Sequence, residues 1–140
     1  MGVALITPFK EDGSVDYDAL VRLVEYQVQN GVDFLCVLGT TAETPTLTAE
    51  EKQKIKKTVI ERVNGRVPIL LGVGSNCTQG VIDTLKNDDF TGVDAVLVVV
   101  PYYNKPSQEG IYQHYKAIAT STNLPVVLYN VPGRTGVNMT

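Results

Sequence analysis

Five apolar segments recur along this chain at regular intervals. They begin at Val3, Phe34, Val67, Ala95 and Pro125, so successive starts are 31, 33, 28 and 30 residues apart. Each interval has room for one strand, one helix and their connections. The segments are continuously apolar, as in "AVLVVV" at 95–100, which is typical of strands buried on both faces of a parallel sheet. The chain is therefore predicted to be an α/β protein.

Amphipathic helices are predicted between the strands. Apolar residues four apart share one face in two of them: Leu20, Val24 and Val28, then Ile55, Val59 and Val63. Asp16, Thr48 and Ser107 are placed to cap the first, second and fourth helices, and Glu51 can complete a capping box with Thr48. The order of elements is therefore strand, helix, strand, repeated.

A Gly-Val-Asp triplet precedes two of the predicted strands. It occurs at 31–33 and 92–94, which are 61 residues apart, or about two strand–helix units. We interpret the triplets as two similar helix-to-strand turns. Asp33 and Asp94 then lie at the entry end of their strands, away from the end where ligand sites form.

Two architectures fit five strands and four helices in 140 residues. One is a doubly wound, flavodoxin-like sheet. The other is the first four βα units plus strand five of a (β/α)8 TIM barrel, a fold that typically takes roughly 250 residues. Pattern alone does not separate them. No linker divides the chain, so residues 1–140 are predicted to belong to a single domain.

Charge and cysteine content exclude several classes of function. Twelve basic and fifteen acidic residues give a net charge of −3, and no basic run is interleaved with aromatic residues, so nucleic acid is not an expected partner. Two distant cysteines predict a reducing, cytoplasmic setting and no structural metal. The longest apolar run, 95–101, is far shorter than the roughly 20 residues that span a bilayer, so no membrane is expected.

Hydroxyl groups and glycines gather after the strands. The segments are "GTTAET" at 39–44, "GVGSN" at 72–76, "PYYNKP" at 101–106 and "YNVPGRTG" at 129–136. Both candidate folds place ligand sites at this end of the strands. Thr40 and Thr41, with nearby backbone N–H groups, can bind a carboxylate, although an ordinary turn also explains them. Tyr102 and Tyr103 are expected to point opposite ways on an extended backbone.

Tyr129 admits three interpretations: a core residue, part of a phosphate cradle, or an acid/base group. A P-loop is rejected because Val137 follows Gly136 where the motif needs lysine. A dinucleotide fingerprint is rejected because Cys77 stands where that motif needs glycine.

His114 is expected to pack at the surface or in an interface. The cluster Lys52, Lys54, Lys56 and Lys57 is interpreted as a solvated helix face.

Four motifs, "ALITPF" (4–9), "GTTAET", "VVVPYYNKPSQEG" (98–110) and "LYNVPGRTG" (128–136), resemble the dihydrodipicolinate synthase family of pyruvate-dependent aldolases. The match covers the whole chain in order. Paired Thr40 and Thr41 favour this branch over the related N-acetylneuraminate lyases and keto-deoxy sugar acid aldolases. The resemblance implies a (β/α)8 barrel, a cytoplasmic location and a homotetramer built as a dimer of dimers.

The resemblance also implies a lyase reaction without a separate cofactor. Pyruvate forms an imine with a lysine, and the derived enamine attacks aspartate semialdehyde to give 4-hydroxy-tetrahydrodipicolinate, for diaminopimelate and lysine biosynthesis. The family's catalytic proton relay matches Tyr129, Thr40 and Tyr103, with Tyr103 reaching a neighbouring subunit. Thr41 would hold the pyruvate carboxylate and Arg134 the carboxylate of the semialdehyde.

One departure concerns the imine-forming lysine, which lies on strand six in the family. This chain stops at Thr140, so we expect it to be the N-terminal part of a longer protein and inactive alone. Lys105 is not expected to substitute, because its amine lies in a polar loop where it stays protonated. An alternative function of a different kind is that the 140-residue chain is itself the natural product and serves as a binding or assembly module without catalysis.

A second departure concerns feedback by lysine, which some family members bind at a subunit interface. Asn76 and Tyr102 match that site. Gly80 stands where the family has an acidic ligand, and Ala49 and Lys52 stand at the positions of two histidines. Feedback by lysine is therefore not expected.

Overall fold

Strands and helices alternate along the computed structural model, which describes all residues from 1 to 140. The strands are Gly2–Ala4 (β1), Phe34–Val37 (β2), Ile69–Gly72 (β3), Ala95–Val99 (β4) and Val126–Tyr129 (β5). The helices are Tyr17–Gln29 (α1), Ala49–Val63 (α2), Thr78–Asn87 (α3), Gln108–Ala119 (α4) and Pro132–Thr135 (α5). The predicted alternation is confirmed, and α5 is one short helix more than predicted.

The helices begin where the sequence places their caps. Asp16 accepts from a first-turn N–H of α1 at 2.9 Å, and Ser107 does the same for α4 at 3.1 Å. Thr48 and Glu51 form both bonds of the capping box at the start of α2. Cys77, which was not predicted to act as a cap, accepts from the Gly80 N–H through its sulfur at 3.4 Å. None of the helices combines the length and apolarity that crossing a bilayer requires.

The chain divides into two compact units. The first unit comprises Met1–Gly72 and Gly92–Asp94, and the second unit comprises Val73–Thr91 and Ala95–Thr140. The first unit contains β1, β2 and β3 with α1 and α2, and the second contains β4 and β5 with α3, α4 and α5.

Strand order in the first unit separates the two candidate architectures. β2 pairs in parallel with β1 and with β3, and Leu35 lies opposite both Val3 and Ile69. A flavodoxin-like sheet places the first strand, not the second, between the other two. Neighbours in chain order are instead the arrangement of a (β/α)8 barrel. The flavodoxin-like alternative is therefore excluded.

The core of the first unit is formed by the predicted helix stripes and by alternate strand residues. Its most buried members are Leu20, Val24, Leu35, Val37, Ile55, Val59, Val63 and Ile69. At the rim, Glu25 of α1 lies 2.8 Å from both Arg62 and Arg66. The hydrogen bond from Arg66 lowers the pKa of Glu25 to about 2. This ion-pair cluster connects α1 with the end of α2.

Both Gly-Val-Asp triplets form the same helix-to-strand turn. Gly31 and Gly92 have φ angles of 78° and 83°, a left-handed conformation that glycine adopts readily. The N–H groups of Asp33 and Asp94 each donate to a backbone carbonyl at the entry of the neighbouring strand, β1 or β3, at 3.0 Å. The two triplets therefore form the same local turn, which lies at the entry end of each strand.

One face of β4 in the second unit is fully buried and the other is not. β4 and β5 are parallel, and Val96 and Val98 of β4 are 0% exposed. Ala95, Leu97 and Val99, which alternate with them, are only half-buried. Burial on both faces was predicted, and in β4 it holds on one face only. In a (β/α)8 barrel the second face is covered by side chains from the other strands of the barrel.

Lys56 departs from the predicted solvated face of α2, because only 8% of it is exposed. It follows Ile55 directly and precedes Val59 by three positions, so it borders the buried stripe of the helix. The methylene groups of a lysine can be covered by apolar neighbours in such a position. The prediction was therefore wrong for this residue.

Candidate active site

The segment "GTTAET" forms a tight turn directly after β2 in the first unit. Thr40–Ala42 is a short 3₁₀ helix, and the Ala42 N–H donates to the Gly39 carbonyl at 3.1 Å. The side chains of Thr40 and Thr41 are exposed at this turn. Two hydroxyls and the N–H groups of a helical first turn are suited to binding a carboxylate.

A buried residue from "ALITPF" supports this turn. Thr7 is only 4% exposed, and its hydroxyl donates to the Ala42 carbonyl at 2.7 Å. Sequence reasoning did not assign Thr7 a role. The available signal was one threonine within an apolar run, and such a residue needs a hydrogen-bond partner when it is buried.

The turn is flanked by residues in the left-handed region. Leu38 has φ of 55° and Glu43 has φ of 56°. Such angles are uncommon for residues other than glycine and cost of the order of 1–3 kcal/mol each. Any side chain at Gly72 would collide with the Leu38 carbonyl, so the strand beside this turn requires glycine. Both constraints hold the turn in one shape.

The loop "PYYNKP" follows β4 in the second unit and contains a strained tyrosine. Tyr103 has φ of 75°, and the Asn104 N–H donates to the Tyr102 carbonyl at 3.0 Å, which makes Tyr103 the centre of a γ-turn. The backbone is therefore not extended here, contrary to our expectation. Tyr103 is 85% exposed and projects from the loop.

Tyr129 is the last residue of β5, and it is half-buried. It lies opposite Val99 of β4, and its carbonyl accepts from the Val100 N–H at 3.2 Å. Its position is thus fixed by a strand ladder up to the residue where the polar loop begins.

Arg134 lies in α5, in the turn that follows β5. The turn is held by buried Thr135, whose hydroxyl donates to the carbonyl of Val131 at 3.2 Å or of Val137 at 3.0 Å. Asn130 closes the same segment, because its side chain donates to Asn138 at 2.9 Å and accepts from a backbone N–H at 3.1 Å. The Arg134 side chain is left exposed.

Two polar rings of α4 are buried beside β4. His114 is 3% exposed and shares a 2.9 Å hydrogen bond between Nδ1 and the Thr78 hydroxyl, whereas its Nε2 has no partner. Burial lowers the pKa of His114. Tyr115, 6% exposed, donates to the Val98 carbonyl at 2.9 Å, and burial raises its pKa to about 12. The predicted surface position of His114 was therefore wrong.

The predicted site residues all lie at or beyond the carboxyl ends of strands. In the second unit, Tyr129 is the last residue of β5, Tyr103 follows the neighbouring strand β4, and Arg134 lies in the turn after β5. In the first unit, Thr40 and Thr41 follow β2. Lys105, with φ of 50°, is exposed in its loop, as expected for a solvated amine.

Two residues that match the family's lysine-binding site, Asn76 and Tyr102, are in contact. The Asn76 side chain donates to the Tyr102 carbonyl at 3.4 Å. Gly80 lies in the first turn of α3 and offers no side chain there. Cys77, between Asn76 and Gly80 in sequence, caps α3 and is an exposed free thiol. The other free thiol, Cys36, is buried, and burial raises its pKa.

Comparison with known proteins gives a consistent result. The profile of the Dihydrodipicolinate synthetase family matches residues 1–140. The chain is 85% identical over its full length to 4-hydroxy-tetrahydrodipicolinate synthase of Phocaeicola vulgatus, and it covers 47% of that protein. The chain thus spans about half the length of the curated relatives it matches.

Two solved structures have the same fold over nearly the whole chain. One is a chloride-inhibited dihydrodipicolinate synthase from Acinetobacter baumannii complexed with pyruvate, with a TM-score of 0.95, 48% identity, and coverage of 99% of this chain and 48% of that one. The other is described as the first monomeric dihydrodipicolinate synthase variant, with a TM-score of 0.92, 50% identity, and coverage of 98% and 45%.

The predicted TIM-barrel fold is confirmed by these structures, which are TIM barrels, and the chain covers the N-terminal part of that fold. The recognition made from four short motifs is confirmed as well, since the family profile matches from the first residue to the last. The chain belongs to the Dihydrodipicolinate synthetase family.

Proposed function

We propose that the protein to which residues 1–140 belong condenses pyruvate with aspartate semialdehyde to give 4-hydroxy-tetrahydrodipicolinate, for diaminopimelate and lysine biosynthesis. The observation that carries this proposal is the 85% identity with a relative of that activity, over motifs that include Tyr129 and the paired Thr40 and Thr41. A solved relative is described as complexed with pyruvate, which supports pyruvate as one substrate.

The reaction requires a lysine that we place beyond residue 140. The lysine amine adds to the pyruvate carbonyl, and the carbonyl oxygen leaves as water, so that an imine forms. Loss of a proton from the methyl carbon gives an enamine, whose carbon bonds to the aldehyde carbon of the semialdehyde. The aldehyde oxygen then takes up a proton. The amino group of the semialdehyde attacks the imine carbon and displaces the lysine amine, so that the ring of the product closes and the lysine is freed. No separate cofactor takes part in these steps.

The five predicted residues supply proton transfer and binding. Tyr129, Thr40 and Tyr103 form the catalytic relay, because a phenol exchanges protons poorly unless it is linked to other hydroxyls. Thr41 holds the pyruvate carboxylate in the turn after β2, and Arg134 holds the carboxylate of the semialdehyde. The position of Tyr129 at the carboxyl end of β5 and the exposure of the others support these roles.

The relay requires an oligomer, which we propose to be a homotetramer built as a dimer of dimers. The support is Tyr103, which is 85% exposed on a strained turn and is therefore free to reach a neighbouring subunit. One solved relative is described as a monomeric variant, so the oligomeric state of this protein has to be measured. Sedimentation of the full-length protein measures which state applies, and a monomer with full activity would contradict the proposal.

We place this activity in the cytoplasm. Free thiols at Cys36 and Cys77 suit a reducing compartment.

We also propose that the activity is not inhibited by lysine. Gly80 has no side chain that could supply a carboxylate for the amine of a lysine bound beside Asn76. An unchanged rate after addition of millimolar lysine is expected, and inhibition would contradict this part of the proposal.

A comparison of substrates tests the proposed function. The full-length protein is supplied with pyruvate and either aspartate semialdehyde or an aldehyde that would form a keto-deoxy sugar acid, and the loss of pyruvate is measured. Turnover with the semialdehyde alone is the expected result. Preference for the sugar aldehyde would assign the protein to a sister branch of the aldolases. Turnover with neither would indicate a binding or assembly module.

A further inference from the structure

Tyr115 of α4 makes its one polar contact with the backbone of the strand beside Tyr129. The residue is 6% exposed, and its hydroxyl donates to the Val98 carbonyl at 2.9 Å. Val98 is 0% exposed and is the second-last residue of β4. The contact therefore lies at the end of the strand pair from which the polar loops emerge.

The same carbonyl belongs to the ladder that holds Tyr129. Val98 lies opposite Leu128 in the parallel pair of β4 and β5. In a parallel ladder, a carbonyl accepts from the N–H of the residue that follows its partner, which here is Tyr129. One phenol, one carbonyl and the Tyr129 amide thus meet at one point.

We propose that Tyr115 is a positioning residue for Tyr129, holding the last backbone amide of β5 so that the Tyr129 phenol keeps its place in the proton relay. The positioning of the backbone follows from the contacts themselves. Its effect on catalysis rests on the proposed function.

A second contact keeps the Tyr115 ring in one orientation. The rings of His114 and Tyr115 meet edge to face, with centroids 5.2 Å apart and planes at 71°. His114 is in turn held by the Thr78 hydroxyl of α3 at 2.9 Å. The buried His114 ring therefore holds the Tyr115 ring with its hydroxyl towards Val98. Rotation of the Tyr115 ring would break its contact with His114.

The chain supplies a matched control in the same helix. Tyr112 lies one turn before Tyr115 in α4 but is 55% exposed, and Lys116 lies 5.7 Å from its ring centroid. Tyr112→Phe and Tyr115→Phe both remove one phenolic oxygen. Only the second change removes a contact with the β4–β5 ladder. Tyr112→Phe therefore measures any general effect of losing a tyrosine hydroxyl from this helix.

Kinetics of the full-length protein test the catalytic part of the inference. Since misplacement by about 1 Å can cost up to 100-fold in rate, we expect Tyr115→Phe to lower kcat roughly tenfold. KM for pyruvate should stay near the wild-type value, and Tyr112→Phe should leave kcat unchanged. In a Tyr129→Phe background, Tyr115→Phe should have no further effect on kcat, because it acts through the missing phenol.

Hydrogen exchange at the Tyr129 amide tests the positioning independently of any activity. Faster exchange at this amide in Tyr115→Phe, with other core amides unchanged, is expected, and para-aminophenylalanine at position 115 should reverse it by restoring a donor. Unchanged exchange would overturn the inference. So would exchange that rises at all core amides alike, or a kcat effect that persists without the Tyr129 phenol. A wild-type protein without turnover contradicts the proposed function, and the exchange experiment still decides the positioning.

Discussion

The hydroxyl of Thr7, just beyond β1, donates a 2.7 Å hydrogen bond to the carbonyl of Ala42, in the turn that follows β2. This buried contact joins two of the motifs by which the family was recognised. It holds the end of the turn that carries Thr40 and Thr41. The shape of the turn therefore depends on a residue that lies 35 positions away in sequence.

Replacing Thr7 should weaken both the fold and the binding of pyruvate. Thr7→Val keeps the volume but leaves the Ala42 carbonyl unpaired, so we expect a loss of about 1–3 kcal/mol in the free energy of unfolding. KM for pyruvate should rise, because Thr41 lies in the released turn. Thr46→Val is the control, since the Thr46 hydroxyl makes an exposed local bond. Equal effects of the two changes would contradict the role of Thr7.

Tyr103 should act in the site of a neighbouring subunit. Because it is 85% exposed, Tyr103→Phe should leave the melting temperature unchanged. It should lower kcat about 100-fold or more if the phenol transfers a proton. Co-expression with Tyr129→Phe subunits should restore activity, because a mixed pair contains one site with both tyrosines. Mixed oligomers no more active than either variant alone would show that Tyr103 does not act across the interface.

Stability should fall below neutral pH because of His114. Burial lowers the pKa of this imidazole from 6.5, so the neutral ring is favoured in the folded state. The unfolded ring takes up a proton near pH 6.5, and the free energy of unfolding then decreases as the pH falls, by at most about 1.4 kcal/mol per pH unit. Urea unfolding at pH 7.5 and 5.5 measures this decrease. It should be smaller in His114→Gln, and an identical decrease in both proteins would assign the effect to other groups.

Glu25 should govern stability in a more acidic range. Its pKa is lowered from 4.5 to about 2, chiefly by Arg66, so the contribution of the ion pair is complete above pH 4.5 and is lost as the pH falls through about 2. Glu25→Gln should therefore raise the pH at which acid unfolding occurs. Glu61→Gln is the control, because Glu61 makes only an exposed 3.9 Å contact with Lys57. Similar shifts in both variants would contradict the prediction.

The strand and helix positions could be predicted because they depend on local pattern. Continuous apolar runs located all five strands to within two residues, and the caps at Asp16, Thr48 and Ser107 located three helix starts. The pattern alone did not predict strand order, since flavodoxin-like and barrel folds share this alternation, and only the resemblance to the family implied the barrel. Pairing of β2 with both neighbours is a long-range property and had to be observed.

The sequence proposed candidate site residues but not the contacts that hold them in place. Resemblance pointed to Tyr129 and the threonine pair, whereas Thr7 and Tyr115 form hydrogen bonds to carbonyls distant in sequence, which no motif records. The positive φ of Tyr103 likewise depends on its loop and not on its residue type. His114 lies on the helix face that packs against α3, and sequence alone did not show that α3 covers it.

We propose that Tyr129 works beside a lysine imine of pyruvate, and borohydride trapping tests this arrangement most directly. The full-length protein is incubated with pyruvate, reduced, digested and mapped by mass spectrometry. We expect one reduced pyruvate per subunit on a lysine beyond residue 140, and none when pyruvate is omitted. Tyr129→Phe should still form the adduct, but more slowly. Absence of any adduct, or an adduct on Lys105, would contradict it.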